Sequence, residues 1–268
     1  MFVRIAELDS ATLIFWSAIS ACLGLGLASG IRLRGRVVDE ILNAGAGGIY
    51  YVVASTVTTV SCVVSLRYTS VANVMTIYAT LPFVASAIAY LWLRECISRR
   101  LILAGLFALA GVTITAGAAA AQDDAIGMIF ALVMTASFAW QLVIVKRYPQ
   151  IDILLFSTIS AGASALAAMP FMDASAVSIP QLAVSALYGL IPYGLGTALA
   201  VAGGRLIKSG EAGFVSMLDV VLNPFWVWVF FSEQPTPYAL IGCGMVLAAV
   251  AWYLFSEEQP FAAAVKCG

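Results

Sequence analysis

Histidine is absent from this chain of 268 residues. That removes the base of Ser-His-Asp and Cys-His catalysis. It also removes the ligands of His-based iron and zinc sites. Charge is nearly as scarce. Only 10% of the residues are Asp, Glu, Lys or Arg, against about a quarter in a soluble domain. Hydrophobic residues make up 62%, so such a surface belongs in lipid rather than water. The five cysteines (Cys22, Cys62, Cys96, Cys243 and Cys267) are scattered and odd in number, with no C-x-x-C. A disulfide framework or zinc site is not expected; they read as small lipophilic packing residues. Gly24-x-Gly26 lacks both a third glycine and a preceding strand, so it is no nucleotide fingerprint. No enzyme activity, cofactor or metal is expected. Residues 1–10 carry Arg4, Glu7 and Asp9 and do not read as a signal peptide.

What remains is a series of apolar runs. Nine have about the 20 residues that cross a bilayer: 11–31, 41–66, 71–93, 101–121, 126–145, 153–172, 182–204, 212–232 and 238–255. Helix is the expected conformation, because lipid cannot satisfy open backbone groups. The basic residues sort by connection. Arg32, Arg34, Arg36, Arg94, Arg99, Arg100, Lys146, Arg147, Arg205, Lys208 and Lys266 share one side if the nine runs alternate. Arg4 and Arg67 fall on the other, with Asp123, Asp124 and Asp173. Basic residues accumulate on the cytoplasmic side. The reading is an inner-membrane protein with its C-terminus in the cytoplasm and residue 1 outside.

The chain repeats near an offset of 140 residues. Ser70-Val71-Ala72-Asn73 stands opposite Gly210-Glu211-Ala212-Gly213. Leu91-Trp92-Leu93-Arg94-Glu95 stands opposite Val229-Phe230-Phe231-Ser232-Glu233. Residues 1–121 form a first unit with four runs, 125–256 a second with five, and 257–268 a tail. The second unit opens with 126–145, and its counterpart would precede residue 1. The expected fold is all-α, with nine transmembrane helices of a ten-helix, five-plus-five architecture whose first helix is missing. A misassigned start is favoured over a natural short form. An odd number of spans per unit implies inverted repeats, the plan of secondary transporters.

Particular segments carry a family resemblance. Leu66-Arg67-Tyr68-Thr69-Ser70-Val71-Ala72-Asn73 leads into Tyr78-Ala79-Thr80-Leu81-Pro82-Phe83 and ends in Trp92-Leu93-Arg94-Glu95. In the second unit, Asn223-Pro224-Phe225-Trp226-Val227-Trp228 precedes Ser232-Glu233-Gln234-Pro235. These resemble the corresponding runs of EamA-type transporters in the drug/metabolite superfamily, over about residues 10–255. The resemblance implies ten spans, inverted repeats and export or exchange of small metabolites, without naming the substrate.

Asp219 is the only charged residue inside any run. An intramembrane carboxylate is costly unless it faces a partner or water. Ser216, Asp219 and Asn223 share a helical face, and Pro224 follows; a proline there frees a carbonyl for a cavity. The reading is a polar stripe on the substrate pathway, with Asp219 taking a cation, an amine or a proton; helix–helix packing is the alternative. Asn73, Thr76 and Thr80 form the repeat-related stripe, with Pro82 beyond, and the two are expected to face each other. Tyr78, Trp140 and Tyr193 are aromatic candidates for the same pathway, and Tyr50, Tyr51 and Tyr188 are weaker ones. Tyr188, with Trp92 and Trp252, also fits an interfacial belt. Pro192 joins Pro82 and Pro224 as a kink. Glu95 is expected to pair with Arg94, Arg99 or Arg100. Gly105, Gly111, Gly117, Gly242 and Gly244 are expected to serve close helix packing.

The leading functional reading is a secondary transporter. No Lys or Arg lies inside a run, so phosphorylated substrates are disfavoured and neutral, zwitterionic or cationic solutes fit better. The alternative is a non-transporting assembly partner or an inactive truncated form. Expected partners are a small-molecule substrate and the bilayer; a homodimer is left open, and no nucleic acid is expected. Topology is directly testable: reporter fusions after Gly268 and within 122–125 should report opposite sides of the membrane, and the same side for both would reject nine alternating spans.

Overall fold

A computed structural model describes residues 8–69, 71–117, 125–173, 177–219 and 237–255, with positions 222 and 229. The described residues are helical and contain no strand. Helices α1 (Ser10–Leu33), α2 (Val37–Tyr68), α3 (Val71–Tyr78), α4 (Leu81–Leu93) and α5 (Arg99–Gly117) come first. Then follow α6 (Ala125–Arg147), α7 (Ile153–Ala168), α8 (Ile179–Tyr188), a π-helical turn (Gly189–Gly196) and α9 (Thr197–Gly204). The last described elements are α10 (Ser209–Ser216) and α11 (Pro237–Phe255). Asn223, Pro224, Glu233 and the tail 257–268 lie outside the described residues.

Six segments among the described residues are long and apolar enough to cross a bilayer. They are Ala11–Leu33, Val37–Tyr68, Asn73–Leu93, Ala125–Arg147, Ile153–Phe171 and Ile179–Gly204. Leu240–Tyr253 is apolar but shorter. The protein is therefore a multi-pass helical membrane protein. Its lipid-facing surface follows from helical spacing: Leu23, Leu27 and Ile31, four apart on α1, are all exposed.

Local chemistry sets where helices start, stop and break. Asp9 caps α1 by accepting from the Ala11 amide, and Asp152 caps α7 by accepting from the Leu155 amide at 3.0 Å. Ser178 and Gln181 form a capping box at α8. Arg34 and Arg94 take left-handed backbone at the ends of α1 and α4. Gly45, with φ +52, breaks the early part of α2. The run 71–93 divides at Ala79–Thr80, and Pro82 sits in the first turn of α4, where its missing N–H costs nothing. Pro192 lies inside the π-helical turn.

Packing brings distant elements together. The α2–α6, α5–α11 and α1–α7 pairs carry the most extensive contacts, and α1 also packs on the π-helical turn. Helix α7 packs on α2, while α4 lies between α6 and α10. One core joins Tyr51, Leu81, Phe138, Leu142 and Phe156. A second joins Leu101, Val112, Phe214, Met217, Val246 and Tyr253. Small residues let the backbones approach. A Cβ on Gly111 would lie 2.7 Å from the Gly242 carbonyl oxygen, and one on Gly213 would lie 3.0 Å from Pro82 Cα. Gly244, by contrast, faces open space.

Two expectations are corrected: Cys96 is disulfide-bonded rather than a free packing residue, and the adjacent Glu95 finds an unforeseen cation. The Glu95 carboxylate accepts from Lys146 Nζ at 2.8 Å and from the Ser209 amide at 3.0 Å. The left-handed Arg94 swings the chain off the axis of α4 and presents Glu95 to α6 and α10. The glycine contacts give a paired test. Gly111→Ala should destabilise the detergent-solubilised protein by about 1–3 kcal/mol, the usual cost of overpacking. Gly30→Ala, where a Cβ meets nothing within 4 Å, should be neutral or slightly stabilising. Thermal unfolding of both variants beside the parent checks this.

Candidate functional site

Polar side chains gather in the bundle in separate groups. One draws on α2, α3, the π-helical turn and α10. Tyr78 of α3 faces Ser216 and lies near Asp219 and Cys62. Tyr193 donates to or accepts from the Thr59 hydroxyl at 3.3 Å and faces Ser164 of α7. Tyr188 lies near Cys62 and Tyr193. All three tyrosines are half-buried, whereas Asp219 is exposed. Asp219 retains exposed surface beside Tyr78. An open carboxylate beside phenol and hydroxyl groups can accept hydrogen bonds from an amine or exchange a proton.

The companion stripe behaves differently. Asn73 donates to Thr69 Oγ1 at 3.0 Å, and Thr80 donates to the Ile77 carbonyl at 2.7 Å. Ser216 likewise donates to the Ala212 carbonyl at 2.9 Å. Such local bonds satisfy hydroxyls inside lipid. Asn73, Thr76 and Thr80 are all half-buried. Tyr78 of the first unit meets Ser216 and lies near Asp219.

Tyr188 was readable as an interfacial residue, yet it joins Tyr193. The π-helical turn explains this. Its i→i+5 hydrogen bonds bring residues five apart toward one face, and in an α-helix these two would diverge. The run Gly189–Gly196 carries three glycines and Pro192, the one local signal of irregular winding.

A second group lies toward the basic face. Tyr51, fully buried, bonds the Ser157 hydroxyl at 2.9 Å and sits beside Gln141 and Arg205. Arg205 donates to the Ile151 carbonyl. Burial lowers its pKa from the ordinary value, while Tyr51 and Asp152 act the other way; guanidinium nevertheless stays charged. Arg32 pairs with Asp152, and a recess of ≈ 540 Å³ opens between these residues and Leu195, Ala198 and Leu199. Trp140 belongs to neither group. It stacks on Tyr50 and packs against Trp92, with Tyr148 beside both neighbours. No three metal-ligating side chains cluster among the described residues.

The apolar helices, their internal polar line and their glycine-mediated packing define a multi-pass membrane protein. The profile of the EamA-like transporter family matches residues 1–117 and 125–255, and the chain belongs to that family. A solved crystal structure is similar in fold, with a TM-score of 0.82 over 96% of this chain and 93% of that one at 16% identity. No curated protein matches.

The Tyr51 group reads as architecture, and this can be checked. Tyr51→Phe leaves the Ser157 hydroxyl buried without this partner. It should cost about 1–3 kcal/mol of stability, measured by thermal unfolding in detergent.

Proposed function

We propose that this protein is a secondary transporter, an exporter or exchanger of small neutral, zwitterionic or cationic metabolites, working by alternating access. The observation that carries this reading is the exposed Asp219 beside Tyr78, which faces Ser216, in a protein whose apolar runs hold no Lys or Arg. A site with one acid and hydroxyl donors suits an amine or a zwitterion. It gives a phosphate no cation to pair with. Ser216, Tyr78, Tyr193 and Asp219 form the proposed pathway; Tyr188 joins them, and Asn73, Thr76 and Thr80 border it. Asn223 and Pro224 are assigned there by sequence alone.

The inverted five-plus-five plan belongs to the same proposal. Elements that correspond between the units pack on one another, α1 on α7 and α5 on α11, and α4 packs on α10 of the corresponding span. The packing of α2 on α7 likewise answers that of α1 on the π-helical turn. Such pairing supports a pseudo-twofold axis between the units. Transport folds of this kind rock one unit against the other about a fixed central site. The basic face is taken as cytoplasmic on the positive-inside rule.

The test is Asp219→Asn in proteoliposomes, which keeps shape but removes the titratable charge. Loss of a charged hydrogen-bond acceptor is worth about 1.5–3 kcal/mol. Transport of an amine or zwitterion should therefore fall roughly ten- to a hundredfold and lose its pH dependence, with normal insertion. An unchanged rate and pH profile would return Asp219 to a packing role.

A further inference from the structure

The two ends of the bundle differ. Toward the basic face, α4 and α10 pack closely, with Gly210 against the Ser86 side chain and Gly213 against the Pro82 backbone. The space left there, lined by Ser86, Glu95, Ser98, Gly210 and Glu211 among others, is ≈ 10 Å³, about enough for one water. Elsewhere in the bundle Tyr78 and Tyr193 are half-buried and Asp219 is exposed.

One carboxylate spans the closed end. Glu95 follows α4, and it accepts from Lys146 near the end of α6 and from the Ser209 amide that opens α10. The side chains of Lys146 and Glu95 are only 13% and 22% exposed. Glu211, two residues past Ser209, accepts from the Lys208 amide and from the Tyr253 hydroxyl at 2.9 Å, which ties α10 to α11. Helix α6 belongs to the block with α2. Any motion that separates α10 from α6 at this end must therefore break the hydrogen bonds of Glu95.

We propose that the Glu95–Lys146 ion pair, with the Ser209 amide as second donor, is a latch that holds the basic end shut and must open for the alternate conformation. This rests on the alternating-access reading above. The half-buried position makes the latch decisive: removing one partner strands the other charge away from bulk water, which favours a conformation that rehydrates it. An intact pair, by contrast, is self-satisfied and needs no solvent.

The test reads accessibility, so it needs no substrate. Ser86→Cys, a near-isosteric reporter behind the latch, is introduced after the free cysteines Cys22, Cys62 and Cys243 are replaced by Ser or Ala, with the disulfide-bonded Cys96 beside Glu95 left intact. Membrane vesicles are then treated from the basic side with an impermeant maleimide. With Glu95 and Lys146 intact, labelling should be slow. Glu95→Gln and Lys146→Met should each raise its rate about tenfold, equivalent to a 1.4 kcal/mol shift in the opening equilibrium. Lys146→Arg keeps the charge and should stay close to the parent. Thermal unfolding in detergent identifies any variant that fails to fold, and the Lys146 pair then decides the outcome without Glu95→Gln. Unchanged labelling in folded Gln and Met variants overturns the latch. Labelling raised equally in the Arg variant overturns it too, since packing rather than charge would then be responsible. Neither result touches the transport reading, which stands or falls on solute flux.

Discussion

The bilayer core offers no hydrogen bond to an exposed amide, carbonyl or hydroxyl. The backbone answers by forming helices, and the side chains answer locally. Ser20, Thr58, Thr135, Thr158 and Ser160 all donate to carbonyls four residues back. Polar groups that look like a cavity lining in sequence are thereby consumed within their own helices. What is left over for function is small: a few tyrosines, one carboxylate, and the breaks in the helices that place them.

Those breaks are where structure meets activity. The division at Ala79–Thr80 lets α3 carry Tyr78 toward α10 while α4 closes against Gly210 and Gly213. The π-helical turn puts Tyr188 and Tyr193 near one another and near Cys62. A straight helix at either place would separate these groups. Charge is kept to the ends, where Arg32 meets Asp152 and Lys146 meets Glu95. The pairs there join segments from different units, so they connect the parts that alternating access would move.

Much of this was legible in the residues. Apolar runs marked the spans, because burial in lipid demands composition as well as periodicity. Pro82 and Pro192 marked the breaks, because a missing N–H cannot sit silently in mid-helix. Gly111 and Gly242 marked a close approach. Other features depend on which distant element arrives, and local sequence does not encode that. Glu95 has three arginines within five positions, yet it accepts from Lys146, 51 residues away. Tyr51 and Trp140 were both aromatic candidates, Trp140 the stronger; one is sealed against Ser157, and the other stacks on Tyr50. The π-helical register follows from tertiary packing around Pro192, and with it the regrouping of Tyr188. Asp219 was recognised for its charge, but its exposure depends on how α10 sits against α3.

Solute flux is the most direct measure of the account. Purified protein in liposomes should take up radiolabelled amines or zwitterionic amino acids from a panel, saturably and in competition with excess unlabelled solute. It should ignore sugar phosphates and nucleotides, for which no intramembrane cation is provided. Uptake no faster than in protein-free liposomes across that panel, or selective uptake of a phosphorylated solute, would contradict it.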